Sequence, residues 1–343
     1  MYRGFLVDGR LVDSDPHFAK GCQACHGGNH TAEAKESAHV GLNKKPSRNL
    51  ATCGECHKGI SEKFSTSLHY TSHGQKMGVK PRFNEGEFKH FEEKIFEQSC
   101  RSCHASCGDC HVKGAPVSGI SIGLIEGHKF IRKNEEKTCA FCHGGRVYTE
   151  FTGEYGGSPD VHFTKGMQCL DCHQQMHGDG TLYNSKQEVK SRPKCSNCHN
   201  MAASDLSVRL RTIHGIHQEK ASCYACHADG NYRNCYSCHG GHSEAQPGFI
   251  LGKNPRNTGQ LTTLRVIPTL NDTFTKQGLN MSNFDALPNY WDSPVHAIKK
   301  KTRRTRDCDA CHVDRRSFLE EGELIEGGAK ANKELIPSIK PIK

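Results

Sequence analysis

The chain has 343 residues, a formal net charge of +9, 34% hydrophobic residues and a mean hydropathy of −0.69, with 35 glycines and 20 cysteines. So polar a composition drives a protein-only core weakly, and something besides side chains is expected to fill the interior. No run approaches the roughly 18 apolar residues of a spanning helix, so no transmembrane segment is expected.

In chain order, the N-terminal MYRGFLVDGRLVDSD has no basic start followed by an apolar run, so no secretory leader is visible. Short helical turns are expected wherever a Cys-x-x-Cys-His motif occurs, with little regular structure between them. GEFKHFEEKIFEQ predicts a longer helix around Glu85 to Gln98. From about 243 to 295 no cysteine occurs; LTTLRVIPTL and the single tryptophan, Trp291, predict a few short strands and loops, a structural flap over the last sites. KKKTRRTR, Lys299 to Arg306, reads as a solvated basic face or a set of anion partners. The tail after Phe318 is polar and does not fold alone; if ordered, it docks on its own body or on a neighbouring copy.

Every cysteine falls in a Cys-x-x-Cys pair followed at once by histidine: Cys22 and Cys25, Cys53 and Cys56, Cys100 and Cys103, Cys107 and Cys110, Cys139 and Cys142, Cys169 and Cys172, Cys195 and Cys198, Cys223 and Cys226, Cys235 and Cys238, Cys308 and Cys311. This is the attachment signature of haem c. Two cysteines three apart lie on one side of a helical turn and reach the two vinyl groups of one porphyrin, and the next residue supplies an axial nitrogen to iron. Zinc requires only that two ligand pairs converge, which gives no reason for a histidine directly after each pair. Disulfides give no reason to repeat one spacing.

On these ten motifs the chain, from Cys22 to His312, resembles multihaem c-type cytochromes. The resemblance implies ten haem c groups and a periplasmic or extracellular location. By motif match it makes His26, His57, His104, His111, His143, His173, His199, His227, His239 and His312 the proximal ligands. The expected fold class is mostly irregular, with short α-helices and few strands packed around haem. Ten haems bring on the order of twenty propionate charges, enough to reverse the sign of the protein's own balance, so nucleic acid is not an expected partner.

Thirteen histidines lie outside the motifs, against ten sixth ligands to supply. Their settings repeat: His17 in HFAKG and His162 in HFTKG; His30 and His177, each four residues after its motif histidine; His69 and His73 against His214 and His217; His128 and His296 before the last motif of each half. These ten are the expected distal ligands; His39, His90 and His242 have no counterpart. The chain therefore reads as two pentahaem halves, 1–150 and 151–343, the second carrying the cysteine-free insert and the extended tail. On a helix His30 and His177 share a face with their own motif histidines, so each should serve a neighbouring iron. Cys103 and Cys107 belong to different motifs yet lie at most about 14 Å apart, which brings two porphyrins together; Cys223 and Cys235 look like a looser version of that pair.

These features lead to the expectation of an electron-transfer protein rather than an enzyme, a subunit of an extracellular cytochrome filament, or nanowire, assembled from copies of itself. Redox proteins or extracellular acceptors would be its partners. A discrete periplasmic or surface carrier is the alternative, and a reductase with one open haem the remoter one.

Overall fold

The computed structural model describes residues 9–98, 105–113, 116–117, 120–121, 128–131, 135–154, 157–229, 249–267 and 269–339. The motifs beginning at Cys100 and Cys235, with His104, His239 and His242, lie outside them. The described chain is mostly short helices and irregular segments with one small three-stranded sheet. None of its helices is long and apolar enough to cross a membrane.

Backbone proximity divides the chain into two compact units: Met1–Gln75 with Arg101–Thr138 and Gln174–Lys190, and Lys76–Cys100 with Cys139–His173 and Ser191–Lys343. These packing units are not the two sequence halves. Gln174–Lys190 follows the sixth motif in sequence yet belongs to the first unit.

The first unit is built from helical turns, tight loops and two short antiparallel strand pairs, Val112–Lys113 with Lys129–Phe130 and Pro116–Val117 with Ile120–Ser121, and among its described residues only one apolar side chain, Phe64, is buried. Its turns are set by local capping. Asn49 accepts from the Ala51 amide ahead of the Cys53 motif (3.0 Å), and Asp109 accepts from the Ser106 amide ahead of the Cys107 motif (2.7 Å). Such caps satisfy amides that a short helix leaves open.

The second unit holds conventional cores. Helix Glu85–His90 starts at a capping box, Asn84 with Glu87, and continues as a π-helical segment, Phe91–Phe96. The expected long helix is thus present but changes pitch midway. Phe83, Phe88, Phe91, Ile95 and Phe96 bury themselves there with Leu279, Met281 and Phe284. The cysteine-free insert forms an antiparallel sheet of strands Ile250–Asn254, Asn257–Val266 and Tyr290–Asp292, in that order, and Leu264 pairs with both Ile250 and Asp292.

The polar tail is ordered on its own chain. Leu319 and Leu335 close a core with Leu264 and Tyr290. The Tyr290 hydroxyl donates to the Glu323 carbonyl (2.9 Å) and accepts from the Ile325 amide (3.0 Å). The buried Asn289 and Asn332 side chains bond each other (3.1 Å), and Asn289 also accepts from the Ala329 amide (2.8 Å).

Candidate cofactor-binding sites

Each described motif forms a helical turn, and in several the amide of the histidine bonds back to the carbonyl of the first cysteine: His57 to Cys53, His173 to Cys169 and His199 to Cys195 (2.9 Å each), and His312 to Cys308 (3.0 Å). The described cysteines form no disulfide.

Seven motif histidines face a histidine from outside the motifs. In the first unit His57 faces His17, His26 faces His128 and His111 faces His177, with ring centroids 6.1, 5.7 and 5.8 Å apart. In the second, His199 faces His162 (6.0 Å), His173 faces His296 (6.4 Å), His227 faces His214 (6.4 Å) and His312 faces His217 (6.2 Å). Two imidazoles bound to one metal at about 2.0–2.1 Å put their nitrogens about 4 Å apart and their centroids about 6.3 Å apart. All seven pairs lie near that separation. In His26 and His128 the facing atoms are the two Nε2 nitrogens, 3.5 Å apart.

Second partners fix which nitrogen faces inward. Nδ1 of His26 donates to the Asn43 carbonyl (2.9 Å), that of His111 to Ile131 (2.9 Å), that of His227 to Lys299 (3.0 Å) and that of His217 to Ile213 (2.8 Å). A ring that donates through Nδ1 keeps a bare lone pair on Nε2, the tautomer a metal ligand needs. Gly27 (φ 65°) lets the chain turn back so that Asn43 reaches His26, and a Cβ there would meet the Gly41 carbonyl at 2.7 Å. Burial lowers the pKa of His128, His143, His173 and His177, and pushes that of His296 down to about 3, with Arg146 and the neighbouring histidines adding to it. These rings are therefore neutral at pH 7 and have a lone pair to offer.

Other predicted ligands fall elsewhere. His30 is exposed and faces no motif histidine among the described residues. The His69 carbonyl accepts from the Ala105 amide (3.0 Å), just after the Cys100 motif. His73 Nε2 lies 3.1 Å from the Asn184 side chain. His143 interacts electrostatically with His173 and His296. Of the histidines without counterpart, His90 donates through Nε2 to the Gln277 carbonyl (3.0 Å) and His39 through Nδ1 to Lys35 (2.6 Å).

The pairing revises the internal repeat. The Ile131 and Lys299 carbonyls, which hold His111 and His227, each lie three residues after a facing histidine, His128 and His296. The Cys107 motif therefore corresponds to the Cys223 motif, the fourth to the third. The expected likeness of the Cys223 and Cys235 pair to the Cys100 and Cys107 pair involves Cys100 and Cys235, which lie outside the described residues.

Sulfurs of different motifs converge. Cys53 is hydrogen-bonded to Cys107, and Cys195 to Cys223. As thiols, Cys53 and Cys195 are driven well up by donating to their partners, which fall to about 7 and about 6. Cys25 interacts electrostatically with Cys53, Cys172 with Cys198 and Cys226 with Cys311. Among the described residues, the motifs thus meet in order through the first unit from Cys22 to Cys53 and Cys107. In the second they run from Cys169 to Cys195, Cys223 and Cys308, with His143 beside His173.

Large apolar side chains stand exposed around the histidine pairs: Phe141 (59%) inside the Cys139 motif, Val313 (68%) after His312, and Ile213 and Ile216 (37% and 53%) beside His214 and His217. Paired imidazoles, attachment sulfurs and bare apolar rims together fit flat, apolar, iron-centred rings. Among the described residues no three His, Cys, Asp or Glu side chains converge as a bare zinc ion would require.

Much of the basic run serves structure. Arg304 donates to the Ala225 carbonyl (2.6 Å) and to that of Ala228, Thr302 to the Cys226 carbonyl (2.5 Å), and Lys299 to the Ser158 and Pro159 carbonyls. The sheet holds the same motif from another side, with the Ser222 amide donating to the Leu261 carbonyl (2.8 Å). Sequence reasoning passed over Asp15 and Asp160, whose carboxylates accept from Nδ1 of His17 (2.7 Å) and His162 (2.9 Å). The recurrence of an aspartate two residues before HF, in DPHF and DVHF, was the available signal.

An uncharacterized protein of Archaeoglobus fulgidus is 29% identical to part of the chain, the match covering 32% of this chain and 45% of the relative. The chain thus spans under half of that relative's length. No family model matches, and no solved structure matches.

Proposed function

We propose that the chain is an electron-transfer protein that carries ten haem c groups, packed as its interior, each held by a Cys-x-x-Cys pair and two axial histidines. The observation that carries the reading is the seven facing histidine pairs at 5.7–6.4 Å, each joining a motif histidine to one from elsewhere in the chain. Bound haem supplies a one-electron iron couple at each site. The chain's own residues do the rest. The cysteines would fix each ring to a helical turn, backbone carbonyls hold the ligand tautomer of His26, His111, His217 and His227, and the paired imidazoles would ligate the iron. With both positions taken, these sites exchange electrons without offering iron to a substrate, so the protein is a conduit rather than a catalyst.

Intact mass of the native protein is expected to exceed the polypeptide mass by ten haems, and its oxidised EPR spectrum to be low-spin. Bare thiols, or iron far short of ten per chain, would sink the reading; a high-spin signal would move it to a reductase.

The assembled form follows from His30. It occupies the place in HFAKG-CQACH-GGNH that His177 occupies in HFTKG-MQ-CLDCH-QQMH, four residues after the motif histidine. His177 serves the His111 site rather than its own motif, whereas His30 is exposed with no facing partner among the described residues. In this reading His30 completes a site in a second copy, giving a polymer of exported subunits at the cell surface, with redox proteins or extracellular acceptors at its ends. Electron microscopy of native material is expected to show filaments that His30→Ala abolishes. Monomers alone in light scattering would leave a discrete carrier.

A further inference from the structure

The second partner of the ligand histidines differs from site to site, and the difference repeats between the two halves of the chain. At most sites where the partner is seen, Nδ1 donates to a backbone carbonyl, as in His26, His111, His227 and His217. His128 and His214 have a buried Nδ1 with no hydrogen-bond partner. His17 and His162 instead donate to a carboxylate, at 2.7 Å to Asp15 and 2.9 Å to Asp160.

The carboxylates are built into place. Asp15 Oδ1 also accepts from the backbone amide of His17 (3.0 Å), and Asp160 Oδ1 from that of His162 (2.7 Å). Each forms a closed turn that fixes the oxygen against the ring. Asp160 is held further by the Ile298 amide, which donates to Oδ2 (2.7 Å). The Asp160 side chain is 3% exposed, against 19% for Asp15, so its charge is less screened.

A carboxylate at Nδ1 draws the ring proton towards itself, makes Nε2 a stronger donor, and places a fixed negative charge one ring away from the metal. All three favour the more positive oxidation state, and hydrogen bonding behind an axial ligand is one of the means by which a protein sets a haem's potential. A neutral carbonyl does the same more weakly, and an unpartnered nitrogen not at all.

We propose that Asp15 and Asp160 are positioning residues that set the His17/His57 and His162/His199 sites at lower potential than the sites whose ligands have carbonyl partners or none, the Asp160 site the lower of the two. The inference rests on the haem reading above. Within each unit it gives one low site among those described, beside sites whose ligands have carbonyl partners or none. In such a profile an electron rests on the flanking sites and crosses the low ones. The direction of net flow is then set by what binds at the ends, not by a downhill slope within the chain.

The test is a potentiometric titration of the haem-bearing full-length protein, followed by visible and EPR spectra, with Asp15→Asn, Asp160→Asn and the double variant. Asn keeps the acceptor for the backbone amide and removes the charge. Each single variant is expected to raise one component at the low end of the titration, and the double variant two. The reduction constant at each altered site should rise about tenfold, or 59 mV for one electron, more at Asp160 than at Asp15. The sites stay low-spin with altered g-values. Asp15→Glu, which keeps the charge, is expected to restore the low component. Glu87→Gln, whose carboxylate serves a helix cap and Ser282, leaves every component in place. A low end unmoved in both Asn variants overturns the proposal, as does a tenfold change that the Glu variant fails to reverse. Absence of a Soret band or of thioether-bound haem in the parent protein is a different failure, that of the haem reading itself.

Discussion

On the proposed haem reading, withholding haem attachment is the most direct perturbation of this fold. Expressed where no attachment machinery acts, the chain keeps its cysteines as thiols and its histidine pairs face each other with nothing between them. In the first unit the only buried apolar side chain among the described residues is Phe64, and burying one phenylalanine contributes about 3 kcal/mol at most. Ordering the backbone costs about 1–2 kcal/mol per residue, and each turn hydrogen bond returns about 1 kcal/mol net. Without haem, this unit therefore has no term large enough to offset its own ordering. The insert and tail of the second unit differ, because Leu264, Tyr290, Leu319 and Leu335 close a core there, and the aromatic cluster around Phe91 forms another. Hydrogen exchange read by mass spectrometry is expected to show residues 17–75 of the haem-free chain exchanging as an unfolded peptide, while 250–266 and 317–336 keep measurable protection. Equal protection of 17–75 with and without haem would refute the claim that cofactors are the core of that unit.

Further outcomes concern single residues. His296→Ala removes the ring facing His173 and is expected to convert one iron to high spin in EPR; His90→Ala, which loses only a bond to the Gln277 carbonyl, leaves the spin state unchanged. Tyr290→Phe deletes the hydroxyl that joins Glu323 and Ile325; a loss of about 1–3 kcal/mol is expected in denaturant unfolding of the insert and tail, with the haem spectrum intact. Asn332→Ala strips the buried Asn289 of its side-chain partner and should cost a similar amount by the same measurement. Arg304→Ala removes the guanidinium that grips the Ala225 and Ala228 carbonyls; faster proteolysis near the Cys223 motif is the expected readout, at a cost of about 1–3 kcal/mol.

The proposed covalent chemistry rests on a local pattern. Two cysteines and a histidine within five residues share one helical turn, so the motif by itself brings them together wherever it is described. The repeated settings of His17 and His162, and of His128 and His296, were legible for the same reason: each lies at a fixed distance from a motif. The helical content of Glu85 to Phe96 was also visible in its periodicity, though not its change of pitch, which follows how the phenylalanines pack.

What only the tertiary structure decided is everything that spans a large sequence distance. That His177 comes to His111, and that the Cys107 motif matches Cys223, depends on where extended segments dock, which no spacing encodes. The tail's attachment to its own sheet turns on the Tyr290 and Asn289 bonds, made by residues more than 30 positions away. The aspartates behind His17 and His162 stood in plain view in the sequence, but a carboxylate two residues from a histidine is commonplace; only the distances make it a partner. Local bonding is written in order along a chain, whereas convergence of remote segments is a property of the folded whole.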